Sequence, residues 1–122
     1  MAGSGDSNLM VQRQQDVHII EFMETRILDQ LAIDKIKNEI LQLVENSGVP
    51  KFVISFENVK YISSAVLGML MTVNKKIAKE KGELRLAAID ASLMEVFKLT
   101  RLDKILNIFK TTDDAMLKFA SN

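Results

Sequence analysis

The stretch from Lys51 to Gly82 reads KFVISFENVKYISSAVLGMLMTVNKKIAKEKG and predicts a strand, a loop and a helix in that order. Its first part, from Lys51 to Phe56, is short, apolar and rich in strand-forming residues, which is typical of a central strand buried on both faces. From Ser64 to Lys79 the apolar residues recur at helical spacing, and the following Gly82 is a stop signal. A buried strand followed by an amphipathic helix indicates an α/β protein.

The flanking sequence continues the alternation in both directions. Before this stretch, the apolar pattern predicts strands from about Leu9 to Arg13 and from about Asp16 to Met23, and a helix from Asp34 to Asn46. After it, the pattern predicts a strand over Glu83–Ala88, a helix over Ala91–Leu99, a short strand over Leu106–Phe109 and a final helix within Thr111–Phe119. We therefore expect an α/β fold in which helices pack on a mixed sheet.

Length and composition set the domain count. The chain has 122 residues, nearly half of them apolar, which is enough for one hydrophobic core and too few for two ordinary domains. Residues 1–7 are small and polar, so we expect a flexible tail there and a single folded domain over residues 8–122.

Charge and cysteine content exclude several classes of partner. Acidic and basic residues number 16 each, so long-range attraction favours neither nucleic acid nor an anionic membrane. The chain has no cysteine, which excludes disulfides and thiolate chemistry and suits a reducing compartment. No apolar run approaches the roughly 20 residues of a membrane span, so we expect a cytoplasmic protein.

Groups for catalysis are few. His18 is the only histidine, and we expect it to face solvent or the rim of a strand rather than to ligate a metal, because a metal site needs several ligands. The sequence has no glycine-rich phosphate loop and no convergent titratable cluster. We therefore predict no enzymatic activity, no catalytic residue, no metal and no cofactor.

The two hydroxyls of Ser63 and Ser64 lie where the loop ends and the second long helix begins. A serine at this point can cap the helix, and a phosphate on it would be tolerated by the positive end of the helix dipole. The residues alone leave both interpretations open. Apolar side chains, Met69 and Val73 among them, cover more of this helix than one buried stripe requires, so we expect part of it to be exposed for docking.

The order of the elements and the segment from Val53 to Gly82 resemble the STAS domain of bacterial anti-sigma factor antagonists. Residues 63–68, Ser-Ser-Ala-Val-Leu-Gly, fall on the family's Asp-Ser-Ser/Thr-Gly-Leu-Gly motif. The chain departs from the family pattern at four positions, which are Ser63 for Asp, Ala65 for the second hydroxyl residue, Val66 for Gly, and Arg101 for another common Gly. The resemblance implies a single STAS-type domain with a mixed, mainly parallel sheet.

The resemblance also implies a partner and a switch. Such proteins bind a GHKL-type anti-sigma factor and free the sigma factor, and that partner can act as a serine kinase that inactivates the antagonist. Ser64 matches the phospho-acceptor position, with Ser63 as a neighbouring or alternative acceptor. We expect the partner to contact Asn58, Tyr61, Ile62, Ser63, Ser64, Met69, Val73 and Ser92, and we allow for a weak homodimer.

Two other functions remain open. A non-phosphorylated STAS scaffold or subunit of a stress-signalling or lipid-transport assembly would use the same helix surface as a permanent interface. An enzyme or a small-ligand binder is disfavoured, because convergent polar groups are missing.

Overall fold

The computed structural model describes residues 9–117 and Phe119, and the predicted tail of residues 1–7 lies outside them. The strands are β1 (Leu9–Gln14), β2 (Val17–Phe22), β3 (Arg26–Ile27), β4 (Lys51–Ser55), β5 (Tyr61–Ile62), β6 (Glu83–Ala87) and β7 (Asn107–Phe109). The helices are α1 (Gln30–Glu45), α2 (Ser64–Lys79), α3 (Ala91–Leu99) and α4 (Thr112–Met116), with a short 3₁₀ helix over Leu102–Lys104.

The main sheet has five strands in the order β1-β2-β4-β6-β7. Only the β1–β2 hairpin is antiparallel, and the pairs β2–β4, β4–β6 and β6–β7 are parallel. The predicted α/β fold with a mixed, mainly parallel sheet is confirmed. The central strand β4 is buried from Phe52 to Ser55, as its continuous apolar sequence predicts.

Helices cover both faces of this sheet. On one face the apolar stripe of α1, formed by Ile33, Ile36, Ile40 and Val44, packs in a large core with the buried sides of α2 and α3. On the other face Ala115 of α4 and Phe119 pack with Val17, Ile19, Val53 and Ala87. Within the described residues, no helix is long and apolar enough to cross a membrane.

Helix α1 and the short strands β3 and β5 differ from the sequence prediction. Helix α1 begins at Gln30 instead of Asp34, because the side chain of Asp29 caps it by accepting a hydrogen bond of 3.0 Å from the N–H of Ala32. The segment of β5, predicted as part of the loop before α2, and that of β3, for which no element was predicted, form a parallel two-stranded pair in which Arg26 lies beside Tyr61 and Ile27 beside Ile62. Each of these strands has two residues, too few to show an alternating pattern.

The prediction that His18 faces solvent is wrong. Its side chain is only 7% exposed and stacks on the ring of Phe52, with 4.6 Å between the ring centroids. Strand β2 lies between β1 and β4 and is covered on both faces, so His18 occupies an internal position instead of the expected rim of the strand. Burial, assisted by the positive charge of Arg13, lowers the pKa of His18. The described residues contain no cluster of three or more potential metal ligands.

Candidate docking site at the start of helix α2

The segment that leads into α2 is fixed by backbone hydrogen bonds. After β4 the chain turns, with the N–H of the buried Val59 donating to the carbonyl of Phe56 at 2.9 Å. The N–H groups of Lys60 and Tyr61 both donate to the carbonyl of Thr25, at 2.8 and 3.2 Å. The N–H of Ser63 then donates to the carbonyl of Ile27 at 3.1 Å. These bonds to the β3 region hold the start of α2 in place.

Ser63 is the N-cap residue of α2, but its hydroxyl does not cap the helix. The backbone is extended at Ser63, with φ −93° and ψ 167°, and its carbonyl accepts a hydrogen bond of 3.0 Å from the N–H of Val66. Its Oγ is buried and has no hydrogen-bond partner among the described residues. The hydroxyl of Ser63 is therefore withdrawn from solvent.

Ser64 is the first residue of α2 and is exposed. It begins a stripe along the helix that continues through Gly68 and Thr72, spaced four residues apart and both exposed. A Cβ added at Gly68 would meet no atom within 4 Å, so the surface beside Ser64 is open. The first turn of α2 carries no acidic residue, so a negative group on Ser64 would meet the positive end of the helix dipole without local repulsion from that turn.

The expectation of an exposed apolar surface on α2 is wrong. Met69 is 3% exposed and Val73 is fully buried, so neither can contribute to a contact surface in this structure. Val66, Leu67, Leu70 and Ile77 are buried as well. Helix α2 packs against both α1 and β6, and the two contacts together bury a wide arc of its circumference. Its outward stripe is small and polar.

An apolar rim of Tyr61, Leu28 and Leu31 lies on β5 and on the segment that leads from β3 into α1, and of these three only Tyr61 was expected from the sequence. Tyr61 is 55% exposed, and the guanidinium carbon of Arg26 lies 5.0 Å from the centroid of its ring. The β3–β5 register, continued by one residue, places the exposed Leu28 beside Ser63. Leu31, in the first turn of α1, is 72% exposed. The available sequence signal was that Leu28 precedes α1 and that Leu31 lies outside the buried stripe of this helix.

The beginning of α3 is tied to the same loop. Lys60 Nζ lies 3.7 Å from Asp90 Oδ1, and the hydroxyl of Ser92 donates to Asp90 Oδ2 at 2.6 Å. The Ser92 hydrogen bond, with a contribution from Lys60, lowers the pKa of Asp90. Ser92 and Asn58 are exposed, while Ile62 is half-buried. The structure thus joins the predicted Ser92 to the loop through Asp90 and Lys60.

Comparison with known proteins identifies the family of this fold. The STAS domain family matches residues 8–115, and the chain belongs to that family. A STAS domain protein of Planctomyces limnophilus superposes with a TM-score of 0.83 at 22% identity, over 92% of this chain and 97% of that protein. The phosphorylated form of the Bacillus protein SpoIIAA superposes with a TM-score of 0.68 at 14% identity, over 88% and 96% of the two chains.

A sequence relative from Thermotoga maritima is named as an anti-sigma factor antagonist. It is 31% identical to this chain over 71 residues, which are 58% of this chain. The matched region spans 63% of the relative's length.

Proposed function

We propose that this chain is an anti-sigma factor antagonist of the cytoplasm, which binds an anti-sigma factor through the surface around Tyr61 and Ser64. The name of the Thermotoga relative and the family match over residues 8–115 support this class of function. The folded unit is the STAS domain, proposed to extend over residues 8–122.

We further propose that phosphorylation of Ser64 controls the binding. The observation that carries this step is the contrast between the two adjacent hydroxyls, since Ser64 is exposed at the first helical position and the Oγ of Ser63 is buried. A kinase must reach the oxygen that it modifies, so Ser64 is the acceptor and Ser63 is not the primary one. The partner that carries out the transfer is a GHKL-type serine kinase, as the family resemblance implies.

A phosphate on Ser64 would act on the partner and leave the fold intact. It adds roughly −1.5 to −2 charges at neutral pH, which a helix N-terminus tolerates but an apolar interface does not. The exposed Tyr61 and Leu28 flank Ser63, so a partner that covers them would desolvate the phosphate as well. Binding would be lost through that cost without any change in the sheet or its helices.

The experiment uses the wild-type chain with Ser64→Ala and Ser63→Ala as a matched pair. Each is incubated with ATP and the GHKL-type protein that copurifies from its source organism, and the peptide containing both serines is analysed by mass spectrometry. We expect one phosphate in wild type and in Ser63→Ala, and none in Ser64→Ala. Phosphate that persists in Ser64→Ala would reject Ser64 as the acceptor, and absence of any GHKL-type partner would reject the proposed function.

The exposed apolar rim favours one alternative, a non-phosphorylated scaffold or assembly subunit. Leu28, Leu31 and Tyr61 would then be covered permanently by a neighbouring subunit. In that case Ser64→Asp would leave the assembly unchanged, whereas Leu31→Glu would disrupt it.

A further inference from the structure

Strand β1 presents an open sheet edge. It is the outermost strand, and within residues 9–117 and 119 its ladder partner is β2 alone. Every residue of β1 after Leu9 is exposed. The side of β1 that faces away from β2 therefore carries backbone donors and acceptors that can pair with another strand.

The hairpin geometry shows which backbone groups point outward. Gln15 and Asp16 form the two-residue turn, with φ values of 53° and 71°, and Gln14 pairs with Val17. In an antiparallel hairpin of this kind the pairs that exchange both hydrogen bonds alternate along the strand, starting beside the turn. Gln14, Gln12 and Met10 therefore bond to β2. The N–H and C=O groups of Leu9, Val11 and Arg13 point away from the sheet.

This edge lacks the features that usually protect edge strands. The strand contains neither proline nor lysine, and its six residues pair one-to-one with β2, without a bulge. Its single charge, Arg13, lies 3.7 Å from the carboxylate of Asp16. Met10 and Val11 are exposed and, as successive strand residues, lie on opposite faces. The opposite edge strand, β7, has only three residues.

We propose that the β1 edge pairs with β1 of a second copy of this chain, joining the two sheets into one continuous sheet around a twofold axis. A twofold axis perpendicular to the sheet makes the two β1 strands run antiparallel. The register with Val11 opposite Val11 lets all three outward-pointing residues exchange both hydrogen bonds with the other copy. It also places Arg13 opposite Leu9, so the two arginines do not face each other.

The charge distribution favours a second copy as the occupant. Shifting the register toward the turn until Arg13 faces Arg13 would oppose like charges and shorten the pairing, so one alignment is preferred. In the preferred alignment, Met10 of each chain lies opposite Gln12 of the other, and no charged residue faces a like charge. The same strand supplies both halves of the edge, and the single charged residue of each copy, Arg13, faces the apolar Leu9 of the other. A single strand pair buries little surface, so the dimer is expected to dissociate on dilution.

The absence of cysteine from the chain permits a direct test of the register. In Val11→Cys the two introduced thiols face each other across the axis, where directly opposed Cα atoms are about 5.5 Å apart and within disulfide range. In the control Gln12→Cys, each thiol and its counterpart lie on a diagonal about 7–8 Å apart, beyond the range for easy bridging. Mild oxidation at dimer-forming concentrations should crosslink Val11→Cys nearly completely and leave Gln12→Cys largely uncrosslinked. Equal crosslinking of the two variants would overturn the proposed register and the interface.

Analytical ultracentrifugation tests the same interface without an introduced cysteine or a crosslink. Wild type should show a concentration-dependent monomer–dimer equilibrium, and Val11→Lys, which sets two positive charges opposite each other, should remain monomeric at every concentration. Val11→Pro removes only an outward N–H and should act likewise, with circular dichroism showing that both variants fold. A wild-type chain that stays monomeric would overturn the proposal and leave the edge for a strand of a different protein. The purified chain is used without its partner, so the result does not depend on the proposed function.

Discussion

Ser63 and Ser64 are neighbours in the chain, yet the Oγ of Ser63 is buried without a hydrogen-bond partner while Ser64 is exposed. The backbone explains this difference in exposure. The N–H of Ser63 donates a hydrogen bond to the carbonyl of Ile27, and helix α2 begins one residue later, at Ser64. The two hydroxyls therefore have different consequences for stability and for partner binding.

Removing the hydroxyl of Ser63 should not destabilise the fold. An N-cap serine usually contributes about 1 kcal/mol through its side chain, but the Oγ of Ser63 makes no such bond. Ser63→Ala removes an unsatisfied buried oxygen, so we expect the free energy of unfolding to be unchanged or higher by up to about 1 kcal/mol. Urea denaturation of the variant and wild type measures the difference.

Asp29→Ala is the matched control. Asp29 caps α1 through its side chain, and its removal should cost roughly 1 kcal/mol in the same measurement. A loss at Ser63→Ala as large as the loss at Asp29→Ala would show that the Ser63 hydroxyl has a stabilising partner after all.

Ser64→Asp should weaken binding of the anti-sigma factor without loss of the fold. The added carboxylate lies at an exposed helix N-terminus, so the free energy of unfolding should stay within about 1 kcal/mol of wild type. The partner, however, must desolvate the new charge. Isothermal titration calorimetry with the purified partner measures the affinity, and equal affinities for Ser64→Asp and wild type would contradict the switch.

Substitutions at Gly68, on the same exposed stripe of α2 as Ser64, can test stability and partner docking separately. Because a Cβ has room there, Gly68→Ala should raise the free energy of unfolding by about 0.5–1 kcal/mol. Gly68→Trp should also fold, but its large ring would cover the surface beside Ser64 and reduce partner affinity. Thermal unfolding combined with the binding assay would show whether the two effects separate. Full affinity in Gly68→Trp would place the docking surface elsewhere.

Arg101 holds a backbone conformation that suits glycine. Its φ is 65°, in the left-handed region, and the resemblance described above matches this position to a common Gly of the family. Left-handed backbone costs a non-glycine residue roughly 1–2 kcal/mol, part of which the greater chain entropy of glycine offsets. We expect Arg101→Gly to raise the free energy of unfolding by about 0.5–1 kcal/mol. Lys75→Gly, within the regular helix α2, is the control and should lower it by about 1 kcal/mol.

His18 should make stability depend on pH. Its pKa is lowered in the folded chain, so the folded state binds the proton less readily than the unfolded state does. The contribution of His18 is fully present above the unfolded pKa, near 6.5, and is lost as the pH falls through the lower folded pKa. Unfolding of His18→Phe, which keeps an aromatic ring against Phe52, should lose this slope below about pH 6.5. An identical pH profile for variant and wild type would contradict the prediction.

The sequence predicted well where the signal lies within a few neighbouring residues. Helix α2, Ser64–Lys79, has the bounds that the helical spacing of its apolar residues and the following Gly82 predict. Strand β4 coincides with the continuous apolar run that predicted it. The α/β fold follows from the same local patterns. Hydrophobic period and stop signals act over one element, so they can be identified without knowing what the element contacts.

The site depended more strongly on contacts between distant segments. Ile27 and Ile62 form one pair of a strand ladder although α1 and β4 lie between them in the chain, and two-residue strands carry no periodic signal. That ladder, continued by one residue, places Leu28 beside Ser63, a neighbour that no local pattern in the sequence predicts. The sequence indicated the two serines and the neighbouring Tyr61, but it could not indicate that Leu28 lies beside them.

The sequence by itself determined the four α-helices and the five strands of the main sheet to within a few residues, the single α/β fold and the position of two hydroxyls at the start of a helix. Only the tertiary structure decided that Met69 and Val73 are buried, that His18 is internal, and that Ser64 rather than Ser63 is accessible. The physical reason is that local spacing fixes which side chains share a face of an element, whereas exposure depends on what packs against that face. For α2 that is both α1 and β6, and for His18 it is the order of strands in the sheet.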